Sequence, residues 1–284
     1  MKDRIDPLIA ERAPWLFAHH AWVPPVRSGL TRLLGYPKTI ALGERLRALP
    51  AEKIMEKMAR RLAIDVQVGG LSNVPAHGAA LIVANHPTGI ADGIILDSIL
   101  RPRRPDLFFY ANVDILRVLP QMAHLIAPVE WRVDKRTHSK TRQTMAFTRH
   151  AVTAGRLGVI FPSGRLAKRH RLRLHERPWM TSAAMLARKY DLPVIPINIR
   201  ARNSVLFYLF DLIHPTLRDI TLFHETLNKD RQPFRVTIGE PISPTALPVR
   251  SDEATAMLKR ATLGLGADGQ TVSLVKATRR PYWV

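Results

Sequence analysis

The 284-residue chain contains no cysteine. That absence excludes disulfides, thiolate metal centres and a cysteine acyl intermediate, so any acyl chemistry here proceeds without a protein thiol. Long apolar runs are missing as well: no stretch offers the roughly 18 uncharged apolar residues of a membrane-spanning helix. The opening Met1-Lys2-Asp3-Arg4-Ile5-Asp6 lacks the apolar core of a secretory signal. The expectation is a cytoplasmic protein, at most peripheral on the inner face of the cell membrane. Acidic residues are scarce too, with 23 Asp plus Glu against 43 Lys plus Arg and a formal net charge of +20. Such an excess favours polyanions or an anionic membrane surface. Nucleic acid is the less favoured of these, because the basic residues are not interleaved with a stacking platform of aromatics and no zinc or RNA-binding signature is present.

What the chain does have is alternation of apolar strands with helical periodicity. Ile54, Met55, Met58 and Leu62 recur at helical spacing, then Ile64, Val66 and Val68 alternate as a strand does. Further strands are predicted at 80–85, 107–110, 127–131, 157–161, 193–199 and 234–239, with helices near 138–155, 178–189 and 250–262. This pattern predicts an α/β fold with a mixed, largely parallel sheet flanked by helices. The economical division is a helical N-terminal segment over 1–50 followed by one α/β domain over 51–284. In the first segment Trp15, Leu16, Phe17, Trp22, Leu30, Leu33, Leu34 and Tyr36 lie among Arg27 and Arg32. They suit either short interfacial helices or helices packed on the domain. The segment 204–213 is apolar but only about half a membrane span, which suits a core element or a surface-dipping loop.

The most informative stretch is Leu81-Ile82-Val83-Ala84-Asn85-His86-Pro87-Thr88-Gly89-Ile90-Ala91-Asp92. An apolar strand delivers a histidine to a turn, and a carboxylate follows. Neutral imidazole takes a proton near neutral pH, and a nearby carboxylate fixes its tautomer and stabilises the imidazolium. On a regular helix positions 86 and 92 would stand roughly 120° apart, so the pair must meet through the turn that Pro87 and Gly89 supply. Asp92 then opens a helix, and Asp97, more than a turn further on, is the poorer partner. The competing reading makes His86 a helix-start residue and Asp92 an ordinary first-turn acid favoured by the helix dipole.

A second strand, Gly158-Val159-Ile160, ends in Phe161-Pro162-Ser163-Gly164-Arg165. Arg165 can grip a phosphate through a charge-assisted fork, or can simply be solvated beside a strand-to-loop turn. The run Lys168 to Arg177 adjoins it. Ser163 does not sit in the Gly-x-Ser-x-Gly elbow of a serine hydrolase. Between the two blocks a short strand ends at Trp131-Arg132, a further phosphate candidate. Leu192-Pro193-Val194-Ile195-Pro196 reads as a buried strand whose prolines suit a sheet edge or an apolar channel wall.

Taken in order, these four blocks resemble the phospholipid and glycerol acyltransferase family, the PlsC-like lysophosphatidate acyltransferases and their relatives, over roughly residues 60–200. Two departures from the family pattern stand out: five residues separate His86 from Asp92 where four are usual, and Ser163 stands where a glutamate is expected. The threonine that often precedes the arginine is also missing. The resemblance implies a fatty acyl transfer from an acyl thioester, acyl-CoA or acyl carrier protein, to a hydroxyl of a lysophospholipid such as lysophosphatidate. His86 and Asp92 would be the catalytic pair. Arg132, Pro162, Ser163, Gly164 and Arg165 would bind substrate, and Val194, Ile195 and Pro196 would line an acyl pocket or channel. No metal or resident cofactor is implied. The alternatives are a lyso-aminolipid acceptor of the lyso-ornithine type, or a non-enzymatic basic nucleic-acid-binding protein.

Overall fold

The computed structural model describes residues 1–62, 65–130, 136–171, 173–229 and 232–266, and the backbone of 271–273. Four helices lead the chain: α1 (Lys2–Arg12), α2 (Val23–Leu33), α3 (Tyr36–Arg47) and α4 (Ala51–Leu62). An alternating series follows, with β1 (Val66–Gly69), β2 (Ala80–Ala84), α5 (Ile90–Leu100), β3 (Phe108–Asn112), α6 (Asp114–Val118), β4 (Ile126–Val129), α7 (His138–Thr153) and β5 (Leu157–Ile160). The remainder comprises β6 (Lys168–His170), β7 (Arg173–His175), α8 (Ser182–Lys189), β8 (Val194–Arg200), α9 (Val205–Ile213), α10 (Pro215–Glu225), β9 (Phe234–Ile238), α11 (Ser251–Gly264) and β10 (Thr271–Ser273).

Among the described residues seven strands form one sheet in the order β1-β9-β8-β2-β5-β3-β4. Five of them, β8, β2, β5, β3 and β4, run parallel; β9 pairs antiparallel to β8, and β1 runs with β9. β2 and β5 are apolar throughout, and β8 is apolar from Val194 to Ile197, because helices cover both faces of the sheet, as parallel strands require. On one face Ile82, Ala84, Val159, Ile195 and Ile197 pack with α1, α4 and α5; on the other Leu81, Val83, Ile160 and Val194 pack with α7, α8 and α11. The basic run after Arg165 carries no apolar alternation, yet it forms the antiparallel β6–β7 pair, to which β10 adds a third strand.

One sequence alternative falls here. β8 is not an edge: it lies between β2 and β9. Its prolines are tolerated because Pro193 precedes the strand and offers its carbonyl to Leu81 N, while the ladder to β9 starts only at Ile197 and Pro196 takes part through its carbonyl, which accepts from Gly239 N. Segment 204–213 is the helix α9, capped by Ser204, whose hydroxyl accepts from Phe207 N at 3.2 Å. The N-terminal segment packs on the domain in part. Leu16 and Leu34 are buried with Phe210 and Ile220 of α9 and α10, whereas Trp22 and Leu33 are exposed. No helix among the described residues is long and apolar enough to cross a membrane.

Candidate active site

In open α/β sheets, ligands meet the turns at the carboxyl ends of parallel strands. β2 and β5 are parallel neighbours, with Val83 opposite Ile160, so the turn after β2 and the turn after β5 leave the sheet side by side. Sheet pairing therefore brings His86 beside Phe161, whose rings stack with centroids 4.2 Å apart. The start of the turn is clasped sideways to β8: Asn85 accepts from Ile199 N at 2.7 Å and donates to Ile199 O at 2.9 Å.

The turn closes as the spacing requires. Gly89 adopts φ +88°, a conformation that side chains resist, and a Cβ there would approach Leu166 to 3.1 Å. α5 begins at the next residue, which places Asp92 in its first turn. His86 Nδ1 lies 3.0 Å from Asp92 Oδ2, somewhat off the line of an ideal hydrogen bond. The imidazole retains 19 % exposure and the carboxylate has none. Asp92 Oδ2 also accepts from Thr88 N at 2.8 Å and Gly89 N at 3.0 Å, and Oδ1 accepts from the Thr88 hydroxyl at 2.5 Å. Asp92 is thus a first-turn acid that caps α5, and the same oxygen faces the imidazole. Asp97 is committed elsewhere, accepting from Arg101 Nε at 2.9 Å.

The β5 turn closes with Gly164 N donating to Phe161 O at 2.9 Å and Gly164 at φ +60°. Pro162 and Ser163 are buried, while Gly164 and Arg165 face outward. No carboxylate stands at position 163, but one arrives from beyond β7. Glu176 Oε2 accepts from His86 N at 3.2 Å, and its Oε1 accepts from Trp179 Nε1 at 3.0 Å. The Ser163 hydroxyl donates to Arg165 O at 2.7 Å and also lies against the Glu176 carboxylate. Desolvation pushes the Glu176 carboxyl above its ordinary value of 4.5, opposed by the bonds from Trp179 and His86 N and by the neighbouring Ser163 hydroxyl and His86 ring. The backbone of His86 is gripped from its other side as well, since its carbonyl accepts from Ala167 N at 2.9 Å. Glu176 was not among the residues singled out from sequence. Its one signal is that it is the sole acid between Arg165 and Arg177.

Of the other expected site residues, Arg132 and its neighbour Trp131 lie outside the described residues. Val194 and Ile195 are fully buried on opposite faces of the sheet, and Pro196 carries the bond from Gly239 N to its carbonyl at 2.9 Å. A separate apolar cleft, lined in part by Leu16, Leu30, Leu34, Ile220 and Phe223, opens between the N-terminal helices and α10 and includes neither His86 nor Asp92. Among the described residues no three His, Asp or Glu side chains converge as metal ligands. Chemically, the arrangement offers a solvent-accessible base backed by a buried, fixed anion.

The mixed, mostly parallel sheet and its flanking helices have a solved counterpart. The solved structure of the 1-acyl-sn-glycerophosphate acyltransferase PlsC from Thermotoga maritima superposes with a TM-score of 0.52, covering 83 % of this chain and 93 % of that one at 15 % identity. The Acyltransferase family model matches residues 65–200. Over 194 residues the chain is 26 % identical to the lyso-glycine lipid O-acyltransferase of Phocaeicola vulgatus, covering 66 % of this chain and 68 % of that protein. It is 24 % identical to the protein of the same name from Bacteroides thetaiotaomicron, covering 66 % and 70 %. By these matches the chain is similar to acyltransferases in sequence over residues 65–200 and to PlsC in fold.

Proposed function

We propose that this protein is a lysolipid O-acyltransferase in which His86 is the general base and Asp92 its orienting anion. The observation that carries the reading is the 3.0 Å approach of His86 Nδ1 to a carboxylate that is wholly enclosed while the ring stays accessible. In the reaction the imidazole takes the proton of a lysolipid hydroxyl, and the oxygen attacks the carbonyl carbon of an acyl thioester. The new C–O bond forms as the C–S bond breaks, and the leaving thiolate receives the proton back from the imidazolium. No acyl-enzyme is needed. Positioned proton transfer of this kind contributes about 10²–10⁴-fold. The buried Asp92 strengthens it by stabilising the transient cation where water does not screen the pair.

The acceptor we favour is a lyso-aminolipid rather than lysophosphatidate. Two relatives named for a lyso-glycine lipid support this, as does Ser163 at a position where lysophosphatidate enzymes are expected to carry glutamate. The donor is acyl-CoA or acyl carrier protein, and the outward-facing Arg165 with the adjoining basic strands suits the anionic groups of either. The test is an acceptor screen with lyso-glycine lipid, lyso-ornithine lipid and lysophosphatidate, each with labelled acyl-CoA and acyl carrier protein, read by lipid mass spectrometry. Ester formation on the aminolipids that disappears in His86→Ala is the expected result. Failure to acylate any lysolipid, or full activity in His86→Ala, would overturn the reading.

A further inference from the structure

We propose that the outward face of α9 seats the protein on an anionic lipid bilayer, next to the turn that carries His86. α9 has two apolar faces. Its inner side chains Phe207, Tyr208 and Phe210 are buried. On its outer side Val205 is 76 % exposed, Leu209 50 %, Leu212 65 % and Ile213 62 %. These positions follow helical spacing, so they form one stripe. Four large apolar groups on one short helix are an unusual load for a water-facing surface. The stripe is also held rigidly. Beyond the Ser204 cap, Glu225 of α10 accepts from Ser204 N at 2.9 Å and from its hydroxyl at 2.5 Å.

The flanks of the stripe have the composition of a membrane interface. Beneath the stripe, the inner residues Phe207 and Tyr208 pack with Leu174 of β7 and with Leu166, which ties α9 to the β6–β7 hairpin and its exposed Lys168, His170 and Arg171. Past the C-terminal end of α9, Trp15 Nε1 donates to Thr216 Oγ1 at 3.3 Å and Trp15 stacks on Trp22 at 6.1 Å. Trp22 is itself 52 % exposed. Aliphatic side chains to enter the acyl region, an indole for the headgroup level and cations for anionic headgroups are the three parts of interfacial binding. A second copy of the chain fits this face less well. A short helical stripe falls far below the roughly 800 Å² per partner of a stable interface, and a two-fold copy would bring its cationic flank towards an equal charge.

The location joins the surface to the chemistry. Leu222 of α10 and Leu166 are the side chains nearest to Gly89 in the His86 turn. A lipid lifted from the bilayer beside α9 would therefore have a short path to the imidazole. This inference deepens the lysolipid reading by naming where the substrate's membrane lies, and its test separates the two.

The full chain and the double variant Leu209→Ser/Leu212→Ser are compared by co-sedimentation with vesicles of phosphatidylcholine alone and of phosphatidylcholine with phosphatidylglycerol in equal parts. Both altered residues are solvent-facing, so circular dichroism should show an unchanged fold. The expected result is that the native chain prefers the anionic vesicles and that the double variant partitions about tenfold or more weakly. Acylation of a short-chain lysolipid below its micelle concentration should be equal in the two proteins, while acylation of lysolipid embedded in vesicles should fall. Equal vesicle binding by the two proteins would overturn the proposal. So would a native dimer that the double variant converts to monomer, since the face would then belong to a second copy. Loss of vesicle binding in the variant, in a protein that acylates no lysolipid at all, would uphold the surface and refute the enzymatic reading alone.

Discussion

Replacing Asp92 by asparagine and by alanine separates its capping of the turn from the role proposed for it, because one oxygen is placed for both. Oδ2 takes the Thr88 and Gly89 amides and faces His86, while Oδ1 takes the Thr88 hydroxyl. In Asp92→Asn the amide oxygen can occupy the Oδ2 place and keep both backbone bonds, with its NH₂ turned towards a hydroxyl that can accept. What is lost is charge. Hydrogen bonds to charged groups exceed neutral ones by roughly 1 kcal/mol, so the stability cost should be about that size. The amide can still hold the neutral imidazole in place but cannot stabilise its cation, and acyl transfer should fall about 10²-fold or more, equivalent to roughly 2.7 kcal/mol of barrier. Asp92→Ala instead strands two buried amides at about 1–3 kcal/mol each, giving a loss of about 2–6 kcal/mol and little folded enzyme. Urea unfolding followed by circular dichroism gives the stabilities, and initial rates of labelled acyl transfer at matched folded fractions give the chemistry. An Asp92→Asn enzyme that folds and turns over like the native one would refute the assigned role.

Glu176→Gln should uncouple stability from pH. Burial raises the native carboxyl above its ordinary 4.5, so the proton-linked stability is present below that value and is lost as pH rises through the shifted one. The Tm of the glutamine variant minus that of the native protein should climb with pH, and a flat difference would contradict the shift. Lys229 donates to Arg202 O at 3.0 Å, Asn203 Oδ1 at 2.6 Å and Glu225 Oε2 at 3.1 Å, all in the interior, and burial lowers its ammonium below the usual lysine range. Lys229→Met should cost about 3–5 kcal/mol in urea unfolding by leaving Glu225 buried without its cation, and adding Glu225→Gln should recover part of the loss. Arg165→Ala should raise KM for an anionic substrate while kcat changes little, measured with donor and acceptor varied in turn; equal loss in kcat would place Arg165 in the transition state instead.

The His86–Asp92 encounter was legible because it is local: a strand, two turn-forming residues and a helix start lie within a dozen positions. The α/β sheet was legible from apolar runs of strand length separated by helical spacing. The Glu176 contact was not, since it depends on a hairpin, β6–β7, whose Lys-Arg-His sequence has no strand periodicity and folds because Leu174 is buried against α9. The place of β8 inside the sheet was also hidden. Proline argues for an edge only where a neighbour needs the missing N–H, and the start of the β9 ladder is a tertiary fact. Composition alone left the N-terminal helices divided between packing and exposure. Leu16 and Leu34 chose one and Trp22 the other because α9 and α10 offer a partner on one side only.

β2 and β5 touch as hydrogen-bonded neighbours although α5, β3, β4 and α7 intervene along the chain. The spacing between the histidine turn and the Phe161–Arg165 turn is therefore set by two fixed rails rather than by the length of the excursion between them. The excursion can be lengthened or shortened without moving the two turns apart.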